Sequence, residues 1–217
     1  MPNPRYKAVL WDFGGVITES PFDAFRRYEL RNNLPADFIR MLNAQNPDSN
    51  AWARFERSEL SLEGFDREFA LEAEAAGYHV PGRDVVNLLY GPVRPKMVGA
   101  LRKCRRHYRV ACLTNNVRAG GRHGLPTSDD HAATVVRVLS LFDVVIESSK
   151  VGARKPELRF YQLALQALAI EPHEAVYLDD LGVNLKPARA LGMTTIKVEQ
   201  PDAALAELEQ ILDLPLH

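Results

Sequence analysis

Residues 7–16 read KAVLWDFGGV, a short apolar run that stops at an acid and two glycines. Four more runs of that character follow: RVACLT at 109–114, FDVVIE at 142–147, AVYLD at 175–179 and TTIKV at 194–198. None alternates strictly between apolar and polar residues. Such runs suit strands buried on both faces, the situation in a parallel sheet. Helical patterns lie between them. Over 95–106, Met97, Val98, Leu101 and Cys104 fall on one stripe behind Pro95, which suits a first-turn position. Over 156–169 the stripe is Phe160, Leu163, Ala164 and Leu168. A shorter helix is expected at 185–191, ended by Gly192, and a last one at 203–212. Strand alternating with helix predicts an α/β fold with a doubly wound, five-stranded parallel sheet.

One interval breaks the alternation. Residues 18–93 hold no convincing strand, and a structureless loop of that length inside a compact domain is improbable. Helical periodicity shows instead at 22–30, 51–60 and 61–75, with a further start at 35–38. The expected organisation is an α/β core from residues 1–17 and 94–217, with a helical cap, 18–93, inserted after the first strand. A second segment, 117–133, contains Gly120, Gly121, Gly124, Pro126, Asp129 and Asp130, and is expected as an exposed loop.

Composition narrows the classes. Hydrophobic residues make up 46% of the chain and charged residues 25%, which supports a core and excludes a disordered chain. Lys and Arg number 27 against 28 Asp and Glu, so the basic excess of a nucleic-acid or membrane-surface binder is missing. The basic run at 102–107 falls at the end of an expected helix, where positive charge complements the dipole. Cys104 and Cys112 provide neither a disulfide framework nor zinc spacing. The N-terminal MPNPRYK is no signal peptide, and no run approaches the roughly 20 apolar residues of a membrane span. The expectation is a cytoplasmic protein without nucleic-acid or membrane partners, its oligomeric state left open.

In an open parallel sheet, ligands collect beyond the carboxyl ends of the strands. Asp12-Phe13-Gly14-Gly15 follows the first run, Thr114-Asn115-Asn116 closes the second, Lys155-Pro156 lies after the third, and Asp179-Asp180 ends the fourth. Three carboxylates crowded at one sheet edge are unfavourable unless a cation sits among them. A few hard oxygen ligands with open positions favour Mg²⁺. Together with Lys155 and the Thr114 hydroxyl, such a centre suits phosphoryl transfer, which needs positioning and charge compensation. A carboxylate beside the phosphorus can act as nucleophile and divide hydrolysis into two easier steps.

Trp11 to Val16, Leu113-Thr114-Asn115, Lys155-Pro156-Glu157 and Leu178-Asp179-Asp180 resemble, in order and spacing, the four motifs of the haloacid dehalogenase-like hydrolases. Ile146-Glu147-Ser148, residues 178–186 (LDDLGVNLK) and Ala190-Leu191-Gly192-Met193 further resemble one branch. That branch includes the N-terminal phosphatase domain of soluble epoxide hydrolase and the N-terminal domain of acyl-CoA dehydrogenase family member 10. The resemblance implies Asp12 as nucleophile and Mg²⁺ ligand, with the Gly14 carbonyl a further ligand. It implies Thr114 and the Asn115 amide as phosphate binders, and Lys155 as the residue that steadies nucleophile and phosphate. Asp180 would ligate the metal directly and Asp179 through water, with Asn184 at the outer edge, holding Asp180 or a metal-bound water. The implied substrate is a small phosphorylated metabolite.

One position departs from that pattern. Where family phosphatases carry a general acid two residues after the nucleophile, this chain has Gly14. Such an acid contributes roughly 10²–10⁴-fold to rate, so the expected enzyme is slow or selective for good leaving groups, unless Glu19 or a water substitutes. The rival readings are a degenerate site that binds phosphate or a protein without turnover, a dehalogenase, which has no need of the Asp179-Asp180 pair, and a phosphomutase, which also relies on the missing acid. The six histidines show no metal-ligand spacing and are expected at the surface, with the entrance as the alternative place for His123 and His131 in the loop after Thr114. Trp52 and Phe55 are placed either in the cap's own core or facing substrate.

Overall fold

The computed structural model describes residues 2–89, 91–116 and 129–216. Its centre is a sheet of five strands, β1 (Ala8–Trp11), β2 (Arg109–Thr114), β3 (Val144–Glu147), β4 (Ala175–Asp179) and β5 (Thr194–Lys197). They lie in the order β3-β2-β1-β4-β5, and every pairing is parallel. The order reverses at β1: the chain steps outward through β2 and β3, then returns to the other side through β4 and β5.

The strands read as apolar throughout because both faces are covered. Val9, Trp11, Val110, Cys112, Val176 and Leu178 pack with α6 (Pro95–Cys104) and α11 (Pro201–Leu212). Ala8, Leu10, Ala111, Leu113, Ala175 and Tyr177 point the other way, against α9 (Leu158–Leu168) and α10 (Gly182–Leu191). Side-chain alternation along a strand divides the residues between these two layers.

Residues 18–93 contain α1 (Pro21–Arg31), α2 (Phe38–Ala44), α3 (Ala51–Glu56), α4 (Leu62–Ala75) and α5 (Gly82–Asn87). They build an apolar cluster of their own around Phe25, Phe38, Phe55, Phe65, Phe69 and Val85. The chain leaves and re-enters the sheet's edge side by side, through an antiparallel bridge between Thr18 and Val93. Asn50 starts α3 by accepting from Ala53 N (2.7 Å), and its Nδ2 donates to Asn43 O and Gln45 O. Ser61 Oγ caps α4 by accepting from Gly64 N at 3.1 Å.

Three expectations differ from the structure. The segment expected as a loop to residue 133 is helical from 129, the start of α7 (Asp129–Leu139). The acids at 129 and 130 suit the first turn of a helix as well as they suit a loop, and Val135, Val138 and Leu139 carry the helical stripe. Residues 117–128 lie outside the described residues. Helix α3 stops at Glu56, short of residue 60, because Ser58 takes a left-handed φ of 61°. Helix α10 begins at Gly182 and passes through Pro187, so the shorter span expected at 185–191 underestimates it.

Candidate active site

β1, β2 and β4 end side by side where the strand order reverses, and the site is built on those ends. Asp12 directly follows β1. Its Oδ1 accepts from Phe13 N at 2.6 Å and lies 2.7 Å from Lys155 Nζ. That ammonium also bonds Asp179 Oδ2 at 2.8 Å, so one lysine that is only 2% exposed bridges the first and fourth strand ends. Asp12, Asp179 and Asp180 each offer an oxygen within 4.8 Å of the others. The structure thus gathers four of the expected site residues into one cluster.

Within it the two neighbouring acids differ. Asp179 is fully buried, and both its oxygens are occupied. Oδ1 accepts from Leu181 N (2.8 Å) and Asn184 Nδ2 (3.0 Å), while Oδ2 accepts from Lys155 and from the Tyr177 hydroxyl. Asn184, expected beside Asp180, therefore holds Asp179, and the Tyr161 hydroxyl anchors its carbonyl at 2.7 Å. Asp180 faces the cavity, and Ser20 Oγ lies 3.5 Å from its Oδ2. Gly15 is what lets the β1 turn pass so close to it. Its φ is +80°, and a Cβ there would fall 2.2 Å from Asp180 Oδ2. Gly14 is different: its φ of −71° and ψ of 130° suit any residue, and a Cβ would meet nothing within 4 Å.

Thr114 lines the cavity at the end of β2. The Asn115 side chain has a role that the sequence did not disclose. Its Oδ1 accepts from Lys155 N (2.8 Å) and its Nδ2 donates to Lys155 O (3.0 Å), which clamps the lysine's backbone. Asn116 is tied to the end of β3 through Glu147 (2.7 Å) and the Ser149 hydroxyl (2.8 Å).

Burial raises the pKa of Asp12 well above its ordinary value; Lys155 opposes this, while Asp179 and Asp180 add to it. Asp180 is pushed up to about 6, chiefly by burial and then by Asp179. Burial pulls Lys155 down, but Asp12 and Asp179 together outweigh it and hold the ammonium above its usual range. Lys155 is a fixed cation. Two carboxylates that resist ionisation, with only hard oxygen donors around them, are a donor set that fits a divalent ion such as Mg²⁺.

The cluster closes one end of a cavity of about 700 Å³. The rest is lined largely by apolar side chains, among them Phe13, Phe22, Phe25, Trp52, Leu89 and Val135. Trp52 faces the cavity, whereas Phe55 is buried and stacked on Phe65 with centroids 4.4 Å apart. His131 lines the cavity; His123 lies outside the described residues. Glu19 is exposed and does not line it. Glu56 and Arg154, paired at 2.6 Å in the cavity wall, were not singled out from sequence. Arg154 sits next to Lys155, but nothing in the spacing of Glu56 shows that α3 reaches the segment carrying Lys155.

The family model of the haloacid dehalogenase-like hydrolases matches residues 6–192, and the chain belongs to that family. It is 38% identical over 221 residues to mouse acyl-CoA dehydrogenase family member 10, covering 98% of this chain and 20% of that protein. It is 29% identical over 217 residues to mouse bifunctional epoxide hydrolase 2, covering 94% of this chain and 38% of that protein. The chain thus spans well under half the length of these two relatives. The sesquiterpene phosphatase astK of Aspergillus oryzae is 24% identical over 95% of this chain and 97% of its own. Among solved structures, a Bacteroides thetaiotaomicron enzyme of the same family, in complex with magnesium and inorganic phosphate, superposes with a TM-score of 0.58 at 21% identity. That match covers 88% of this chain and 93% of the other. Among the described residues, no helix is long and apolar enough to cross a membrane.

Proposed function

We propose that this hydrolase is a phosphatase for a monoester with an apolar tail, acting through a phospho-aspartate at Asp12, with residues 18–93 as a cap over the core. The observation that carries the reading is Lys155 bridging Asp12 and Asp179, with Asp180 beside them, at a cavity whose remaining wall is mainly apolar. The apolar walls favour a hydrocarbon tail, and the phosphatase name of one relative agrees with phosphate chemistry. Mg²⁺ would be held by Asp12, the Gly14 carbonyl and Asp180. Asp179, whose oxygens are occupied, would contribute its charge through the outer sphere. The ion would supply positive charge to the transferring phosphoryl group.

The chain's own residues do the rest. Thr114 and the Asn115 backbone amide bind phosphate oxygens, and Lys155, permanently protonated, neutralises charge and orients Asp12. An Asp12 oxygen attacks phosphorus, the bond to the ester oxygen breaks, and the electron pair leaves with that oxygen. Water then hydrolyses the aspartyl phosphate, releasing inorganic phosphate and restoring the carboxylate. With Gly14 in place of an acid, the departing oxygen takes its proton from solvent, so aryl, acyl and anomeric phosphates should react faster than simple alkyl ones. The test is phosphate release from p-nitrophenyl phosphate with Mg²⁺, with EDTA, and by Asp12→Asn. Release that requires both the metal and Asp12 is expected; equal rates in the two proteins would refute the reading.

A further inference from the structure

The polar contacts between residues 47–58 and the core converge on residues 149–157, the segment that carries Lys155. Ser58 Oγ donates to Ser149 O (2.9 Å), Arg154 Nη1 donates to Pro47 O (2.9 Å), and Arg57 Nη1 lies 3.5 Å from Glu157 Oε1. Glu56 differs from these because it continues into the site. It is the last residue of α3, 5% exposed, and its Oε2 meets both Arg154 Nε (2.6 Å) and Asn115 Nδ2 (3.5 Å). Asn115 grips the backbone N–H and C=O of Lys155, and Lys155 Nζ orients Asp12. A continuous path therefore runs from a helix remote in sequence to the carboxylate that would attack phosphorus.

We propose that Glu56 is a positioning residue for Lys155: it holds Arg154 and Asn115 from the cap side and so fixes the backbone that aims the ammonium at Asp12. This rests on the phosphatase reading above. Glu56 is not a replacement for the acid missing at Gly14. Burial does raise its pKa, but Arg154, a hydrogen bond from Trp52 and the charge of Lys155 all favour its ionised form. Its carboxylate is engaged in holding neighbours, which suits a strut better than a proton donor. A carboxylate buried with its guanidinium partner is costly to break, since removing one leaves the other uncompensated. The pair therefore resists small displacements of the loop between them.

The test compares Glu56→Ala and Glu56→Gln with Ser58→Ala, which removes a contact on the same seam that does not lead to Asn115. In p-nitrophenyl phosphate hydrolysis with Mg²⁺, Glu56→Ala is expected to lose about 10²-fold in kcat, the scale of a small misplacement of a reacting group, with KM unchanged. Glu56→Gln, which keeps an acceptor for Asn115, recovers part of that loss, and Ser58→Ala stays at the wild-type rate. The second readout needs no activity: hydrogen–deuterium exchange of the Lys155 amide, which donates to Asn115 Oδ1, followed by peptide mass spectrometry. The Lys155 amide is expected to be protected in wild type and Ser58→Ala and to exchange faster in Glu56→Ala; if that variant does not fold, Glu56→Gln carries the same comparison. Wild-type kcat and protection in Glu56→Ala, or equal losses in Glu56→Ala and Ser58→Ala, would overturn the proposal. A wild type without phosphatase activity would overturn the phosphatase reading alone, and the exchange pattern would still decide the role of Glu56.

Discussion

Asp180→Asn separates the electrostatic cost of the site from its use. The carboxyl is displaced from 3.8 to about 6 by burial and by Asp179. Between those values the folded protein holds a proton that the unfolded chain has already released. Metal-free stability therefore falls as pH rises from about 4 to about 6 and stays lowered above that. The displacement corresponds to at most about 3 kcal/mol at neutral pH. For a chain of this length each kcal/mol moves Tm by roughly 2–4 °C. Asn at 180 removes the charge at similar volume and also relieves Asp12, which Asp180 pushes in the same direction. In EDTA at pH 7.5, Asp180→Asn should therefore melt above wild type, the gap closing near pH 4. Adding Mg²⁺ should reverse the order, because ligand binding raises the stability only of the protein that binds it. Scanning fluorimetry from pH 4 to 7.5, with EDTA or Mg²⁺, reads all of this. A gap independent of pH, or equal Mg²⁺ shifts in both proteins, would refute the reasoning.

Gly14→Asp fits the backbone and the open space at that position, so it should fold normally and raise turnover of alkyl phosphates more than of aryl phosphates. An unchanged alkyl-to-aryl kcat ratio would show that position 14 does not limit the leaving group. Gly15→Ala should cost about 2 kcal/mol or more, from the positive φ and the encroachment on Asp180, and should abolish the Mg²⁺ shift; a denaturant midpoint equal to wild type would contradict this. Burial lifts the Cys104 thiol to about 12 and Cys112 well above its ordinary value. Neither should react with iodoacetamide at pH 8 until the protein is unfolded, which intact-mass spectrometry would show.

The sheet was legible in sequence because strands buried on both faces leave no polar alternation to confuse: RVACLT and AVYLD become β2 and β4 with unchanged bounds. The acids were legible because they sit on strand ends, and a parallel sheet collects its strand ends at one edge. The division of labour between Asp179 and Asp180 was not, since it depends on Tyr177, Asn184 and Leu181 N saturating the first and leaving the second toward the cavity. Gly15 was overshadowed by Gly14 for a similar reason: the sequence shows a missing acid, but a close approach to a carboxylate 165 positions away exists only in the fold. Glu56 was hidden most completely. Helical spacing places it inside the helix expected over 51–60, yet its partners are chosen by how α3 docks against residues 149–157.

The saturation of Asp179 also bears on why the site carries three acids and a single lysine. If all three were equivalent, Lys155 would neutralise a shared charge and the cluster would have no internal direction. Donors from β4, α10 and the turn between them saturate Asp179, and Lys155, shared between Asp179 and Asp12, supplies one positive charge against three acids. Asp12 and Asp180 then keep raised pKa values, because burial disfavours their charge more than the lysine favours it. A divalent ion would relieve both. It would do so on the cavity side, because Asp12 and Asp180 line the cavity while Asp179 is sealed beneath. The asymmetry places the remaining negative charge where, in the proposed reaction, a phosphate would arrive, so a bound cation would favour anion entry. In the proposed phosphatase, metal dependence would thus follow from which carboxylate the buried tyrosine and asparagine hold in place.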